Sequence, residues 1–249
     1  MTSRSFRRSV VVLALGASSL ACAGGGDGGS RFQPTGFGGE ISLRVSSPAP
    51  SFGIVYADAV FYSHHESRQI PYPFDPYEQL DLDKCTDLNE IVEIVEYRDV
   101  GPVVGFTSGT ASLAAPFGNN GGGVWSYRAT FGLDEVPLGT VWTVSAGSAG
   151  TFTDTLRLPS RVNASYAGGV VTFDPLGTDR VVVRVQGVDL SFVRWCLVAD
   201  DGSFTLPASL LEDAPHGYLQ VRGINTDFRT LDDGTQVRII GESLQPIDY

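Results

Sequence analysis

From Glu40 onward apolar residues recur at every second position, the spacing that gathers them on one face of a β-strand rather than along a helical stripe. Ile41-Ser42-Leu43-Arg44-Val45, Trp125-Ser126-Tyr127-Arg128-Ala129-Thr130-Phe131, Val141-Trp142-Thr143-Val144 and Thr151-Phe152-Thr153-Asp154-Thr155-Leu156 all alternate. Residues 92–97, 181–185, 192–198, 218–223 and 237–240 follow the rule over part or all of their length, and β-branched and aromatic residues dominate these runs. Turn chemistry separates them: Gly118-Asn119-Asn120-Gly121, Asp174-Pro175-Leu176-Gly177, Asp200-Asp201-Gly202 and Asp232-Asp233-Gly234. The pattern predicts an all-β fold over residues 40–249, an antiparallel β-sandwich formed as one large unit or two closely joined halves. One short helix is expected at Pro207-Ala208-Ser209-Leu210-Leu211-Glu212-Asp213, opened by its proline and stopped by Pro215 and Gly217. Residues 63–89, interrupted by Pro73 and Pro76 among aromatic residues, read as a long loop pinned at Cys85.

Before residue 40 the pattern changes. Arg4, Arg7 and Arg8 precede the apolar run Val10-Val11-Val12-Leu13-Ala14-Leu15, and small residues lead to Ser19-Leu20-Ala21-Cys22. The apolar stretch 9–21 is too short to span about 30 Å of hydrocarbon, which needs about 20 residues. Residues 1–21 therefore read as a secretory signal peptide. Its ending resembles the lipobox of bacterial lipoproteins, with Ser19 where that family prefers Leu or Val. The resemblance implies cleavage before Cys22 and a diacylglycerol thioether on its sulfur, so that the chain meets the membrane through covalent lipid. Ordinary export without lipid, to a periplasmic or secreted location, is the alternative. Residues 23–39 contain eight glycines and one proline and cannot bury enough surface to offset ordering. They read, with Cys22, as a disordered Gly-rich linker reaching about 20–25 Å on flexible-chain scaling.

Charge narrows the partners. The chain carries a formal net charge of −11, and loss of Arg4, Arg7 and Arg8 with the signal peptide would deepen it to −14. Such a surface repels phosphate backbones and disfavours nucleic acid as a partner. Beyond Cys22 only Cys85 and Cys196 remain, and an exported pair in an oxidising compartment is expected to close as a disulfide; two buried thiols are the alternative. Two lone cysteines so far apart do not make a zinc site.

Candidate chemistry is sparse. His64 and His65, followed by Glu66, offer ligand types suited to zinc or copper, but neighbours on a strand point to opposite faces. Asp81, Asp83 and Asp87, with Asp75, Asn89 and Glu90 nearby, offer oxygen ligands for calcium without the glycine or spacing of an EF-hand loop. Both sets read as solvated loop positions, so no metal and no cofactor is expected. The Asp-Gly pairs at 201–202 and 233–234 are read as hairpin turns. No Gly-x-Ser-x-Gly elbow is present, and three histidines leave few ways to assemble a serine triad. Trp125, Tyr127, Trp142 and Trp195 would make a sugar-binding platform if exposed, but their places in alternating strands predict core packing.

The run from Trp195-Cys196 through Asp200-Asp201-Gly202 and Ser203-Phe204-Thr205-Leu206-Pro207-Ala208 to Leu210-Leu211 resembles functionally uncharacterised, lipid-anchored β-rich proteins of environmental bacteria. That resemblance implies a β-rich fold and an envelope location, and brings no activity or binding residue with it. The resulting expectation is a non-enzymatic, lipid-anchored protein of the cell envelope, at an outer membrane or cell surface, with a structural, adhesion or ligand-presentation role. Its partners would be the membrane, through the lipid, and an envelope protein or glycan. A carbohydrate-binding module is the alternative, and an envelope-bound hydrolase a more distant one.

Overall fold

A computed structural model describes residues 36–49, 52–64, 80–86, 94–121, 124–147, 152–188, 192–213 and 216–249. Strands dominate. In chain order they are β1 (Gly36–Ala49), β2 (Phe52–His64), β3 (Cys85–Thr86), β4 (Ile94–Tyr97), β5 (Val103–Ser108), β6 (Ala111–Asn119), β7 (Trp125–Gly132), β8 (Val141–Ala146), β9 (Phe152–Arg157), β10 (Ala164–Ala167), β11 (Val170–Phe173), β12 (Arg180–Gly187), β13 (Val193–Val198), β14 (Ser203–Thr205), β15 (Gly217–Thr230) and β16 (Gln236–Asp248). A 3-10 turn (Leu133–Glu135) follows β7, and the one helix of the described residues, α1 (Ala208–Asp213), lies where the proline-opened run predicts it.

Twelve strands run in the order β3-β13-β12-β15-β16-β1-β2-β7-β6-β5-β8-β9, with β4 also paired to β2; β10-β11-β14 make a second, small sheet. The large sheet folds back on itself at β6. Residues 111–116 of that strand pair with β5, whereas 117–119 pair with β7, so a single strand serves both layers. The first core fills the space between those layers: Ile41, Leu43, Val45, Val55 and Phe61 face Val104, Phe106, Trp142, Val144 and Leu156. A second core lies at the other end of the large sheet, where Val181, Val183, Val185, Leu219 and Val221 meet Val171, Phe173 and Phe204 of the small sheet and Leu210 of α1. The protein is therefore two joined halves on one continuous sheet. The chain passes from the first core to the second between Leu158 and Val162, both buried.

Besides β2, which runs through His64 and so takes the first two residues of the expected loop 63–89, three features of the fold depart from the sequence reading. The first strand starts at Gly36, so the last residues assigned to the linker, 36–39, belong to the sheet, where Gly38 pairs with Tyr62 and Gly39 with Phe61. Glycine suits that entry because a Cβ on Gly39 would meet the Phe61 ring at 2.7 Å. Second, the β1–β16 pair is parallel, whereas the other ladders among the described residues are antiparallel. Third, Asp201-Gly202 does not close a hairpin: β14 pairs with β11, so this turn carries the chain from the large sheet to the small one. Asp233-Gly234 does join the β15–β16 hairpin, with Gly234 at φ 82.

The joint between the halves is tight at Gly241. On β16, Val237 and Ile239 belong to the first core and Ile247 packs on the second, with Gly241 between them. A Cβ there would stand 2.1 Å from the Arg157 carbonyl oxygen and 2.8 Å from its carbon, at the end of β9. The clash is with backbone, so no rotamer change relieves it. Gly241→Ala is expected to lose about 2 kcal/mol or more of stability, the scale of overpacking a close-packed interior, read as a lower urea midpoint at unchanged slope. A variant as stable as the parent would show that β9 and β16 do not cross so closely.

Candidate functional site

The parallel pair at the centre of the large sheet carries a charge ladder. Register sets Glu40 opposite Arg238 and Arg44 opposite Glu242. Both pairs close, Arg238 donating to Glu40 and Arg44 Nε donating to Glu242 Oε2 at 2.6 Å. The order of signs is reversed between the strands. A slip of four residues would face Glu40 with Glu242 or Arg44 with Arg238, and a slip of two would set Arg44 against Ile240 or Leu244. The ladder thus admits one register.

Glu242 is the node of this ladder. It is 2 % exposed, and Arg222 on β15 brings Nη1 to 2.9 Å from its Oε1, as an ion contact outside hydrogen-bond alignment. Burial pushes its carboxyl up, but the attraction of Arg222 and then Arg44 outweighs burial and holds it below the usual carboxylate range. A carboxylate so placed is a fixed anion rather than a proton donor. Beside it, Trp195 lies half-buried between guanidinium groups, with the Arg222 and Arg184 carbons 5.0 and 5.3 Å from its ring centroid. Val182, Ile224 and Ile240 are buried on the same face.

Among the described residues no three His, Cys, Asp or Glu side chains form a metal-binding group. Asp81 is exposed and ion-paired with Lys84 at 2.8 Å, which lowers its pKa, and Asp83 is an exposed turn residue at φ 59. The backbone of His64 ends β2, while its side chain, His65, Asp87 and Cys22 lie outside the described residues. Two other acids serve as turn staples. Asp233 is held down to about 2, first by hydrogen bonds from Thr235 and then by Arg98. Asp200 accepts from the Leu176 and Gly177 amides at 2.8 and 2.6 Å, fixing the Asp174-Pro175-Leu176-Gly177 turn.

The four aromatic candidates separate. Trp142 and Tyr127 are fully buried, as the alternation predicts. The Tyr127 hydroxyl accepts from the Val100 amide at 2.8 Å and donates toward the Gly101 carbonyl at 2.8 Å, and burial pushes its pKa up to about 12. Trp125 corrects the expectation of core packing: it is 45 % exposed, because β7 there has run past the edge of the first core. Its ring lies 5.6 Å from Phe117 at 32°, Phe117 lies 5.0 Å from Tyr127, and Tyr127 meets Phe61 edge-on at 6.0 Å. A continuous file of rings thus connects the core to a surface tryptophan.

Cys85 and Cys196 are joined in a disulfide, directly opposite each other in the antiparallel β3–β13 ladder. Around the bond, the Asp83 amide donates to the Leu197 carbonyl at 2.8 Å and Leu82 bridges to Leu197. The strap 80–86 thereby covers the outer edge of β13. No described helix is long and apolar enough to cross a membrane. No protein-family description and no curated protein matches the chain.

Two outcomes test this geometry. Since the folded pKa of Glu242 lies below its unfolded value of about 4.3, its contribution is complete above that value and is lost as pH falls through the folded pKa. Glu242→Gln is expected to destabilise the neutral-pH protein by about 3–5 kcal/mol, leaving buried arginines uncompensated, and to flatten the loss of stability below about pH 4.3 in denaturation curves. An unchanged acid profile would remove Glu242 as its source. The disulfide closes a separation of 111 residues, worth about 4–5 kcal/mol in the chain-entropy treatment. Cys85→Ser should lower the thermal midpoint and place the earliest proteolytic cuts within 80–86, with the far-UV strand signal retained; early cuts elsewhere would show that the bond does not hold this strap.

Proposed function

We propose that this protein is exported and lipid-anchored at Cys22, and serves in the cell envelope as a rigid β-sandwich that presents binding surfaces rather than catalysing a reaction. The observation that carries the reading is the Cys85–Cys196 bond, because structural disulfides persist in oxidising compartments. The signal-like segment and lipobox-like ending at Cys22 support the anchor. The charged groups described above support presentation: those with perturbed carboxyls, Asp81, Asp233 and Glu242, are all held in the anionic form by partners, as structural ion pairs are.

Mass spectrometry of the membrane fraction tests the reading. A mature chain beginning at Cys22 and heavier by a diacylglyceryl group is expected, and Cys22→Ala should move the protein to the soluble fraction. An unmodified chain beginning elsewhere, or a membrane-associated Cys22→Ala variant, would overturn the anchor.

A further inference from the structure

We propose that Trp125, braced by Phe117 and paired with Asn119, is a docking point for a pyranose ring of a neutral glycan. This rests on the reading of the protein as a binding scaffold and names the ligand class of one of its surfaces. In the β6–β7 hairpin Asn119 lies directly opposite Trp125, so the two side chains share one face. Asn119 Oδ1 accepts from the Gly121 amide at 3.0 Å, which orients the carboxamide and commits its acceptor. Its Nδ2 keeps donors for a ligand hydroxyl. An indole face and an adjacent amide donor match the two sides of a pyranose, the apolar CH surface and the hydroxyl rim.

The ring is held in advance of binding. Phe117 stacks behind it, and the file through Tyr127 to Phe61 ends in fully buried side chains. Little rotamer freedom is left for a ligand to remove.

The surroundings separate a sugar from the other partners an exposed tryptophan serves. A protein hot spot sits in a desolvated patch ringed by further contacts, whereas the hairpin beside Trp125 offers Asn119, Asn120 and Gly121, all exposed. A bilayer surface rich in anionic lipid would repel a chain of net charge −11. Asn119, Asn120, Gly121 and Ser126 carry no charge, so the matching ligand is uncharged as well. One ring contact implies weak binding, with Kd on the order of 1 mM for a single sugar of about a dozen non-hydrogen atoms.

The test uses the full chain labelled on its indole nitrogens, in which Trp125, Trp142 and Trp195 give three side-chain signals. It is titrated with the tetrasaccharides of β-1,4-glucose and β-1,4-N-acetylglucosamine, with tetragalacturonate as the charged probe, and with vesicles of phosphatidylcholine and phosphatidylglycerol. At least one neutral tetrasaccharide should shift the Trp125 signal alone. Trp125→Ala should weaken binding about tenfold or more, Trp125→Phe should keep part of it, and Asn119→Ala should weaken it several-fold with the fold unchanged. The proposal fails if neither neutral tetrasaccharide moves the Trp125 signal in the parent protein, if Trp195 responds instead, or if only tetragalacturonate or the vesicles shift it. Each result stands whichever cellular fraction holds the protein, so a failed anchor and a failed glycan site are told apart.

Discussion

The parallel pairing of β1 with β16 is the constraint on which the architecture depends. These strands lie at the middle of the large sheet, with β15, β12 and β13 on one side and β2 and β7 on the other. Separate them and the sheet becomes two smaller ones, each with a bare edge. Hydrogen bonding alone would allow β16 to slide along β1. The reversed signs of Glu40 and Arg44 against Arg238 and Glu242 turn a permissive ladder into a specific one, at the expense of burying ions that apolar side chains of the same size could replace. Gly241 completes the junction, because β9 lies against β16 where a side chain would otherwise stand.

The two halves share this strand pair but differ in how they are closed. The first folds its own sheet over through β6 and needs no additional layer. The second relies on three short strands and a single six-residue helix to cover β12 and β15, a thinner lid. The disulfide sits in that second half, where the strap 80–86 has few apolar contacts of its own beyond buried Leu80. A covalent bond thus reinforces the part of the molecule where burial is least able to do so.

Fold class, the helix and the disulfide were legible in the sequence because each depends on local pattern or on the pairing of two cysteines. Strands with one apolar face, such as β1, β8 and β9, advertise themselves by alternation. β2 does not: Ile54, Tyr56, Val60 and Tyr62 on its other face, interrupted by Asp58, interleave Val55, Ala57, Ala59 and Phe61, so both faces are mostly apolar and the period is blurred. β5 and β6 are masked by Gly105, Ala111, Ala114 and Ala115, which give little contrast between inside and outside. The ion-paired node was beyond reach for a different reason. Arg44 and Glu242 are 198 residues apart, and nothing in either neighbourhood marks the other. Trp125 and Trp142 show the same limit, since both occupy alternating strands and only the depth of the covering layer decides that one is exposed.

That separation of 198 residues also dictates an order of events. Bringing such distant segments together carries a length-dependent entropic cost of about 4–5 kcal/mol, returned only when the whole ladder has zipped. A chain emerging progressively, from a ribosome or through a membrane, holds β1 and β2 long before β16 exists to complete them. Throughout that interval β1 waits with an open edge, the kind of surface that recruits foreign strands. Glu40 and Arg44 project from it as charges with no partner yet, and a strand lacking their complement is discouraged from docking. The four residues that set the register of the finished sheet would thus also guard the unfinished one.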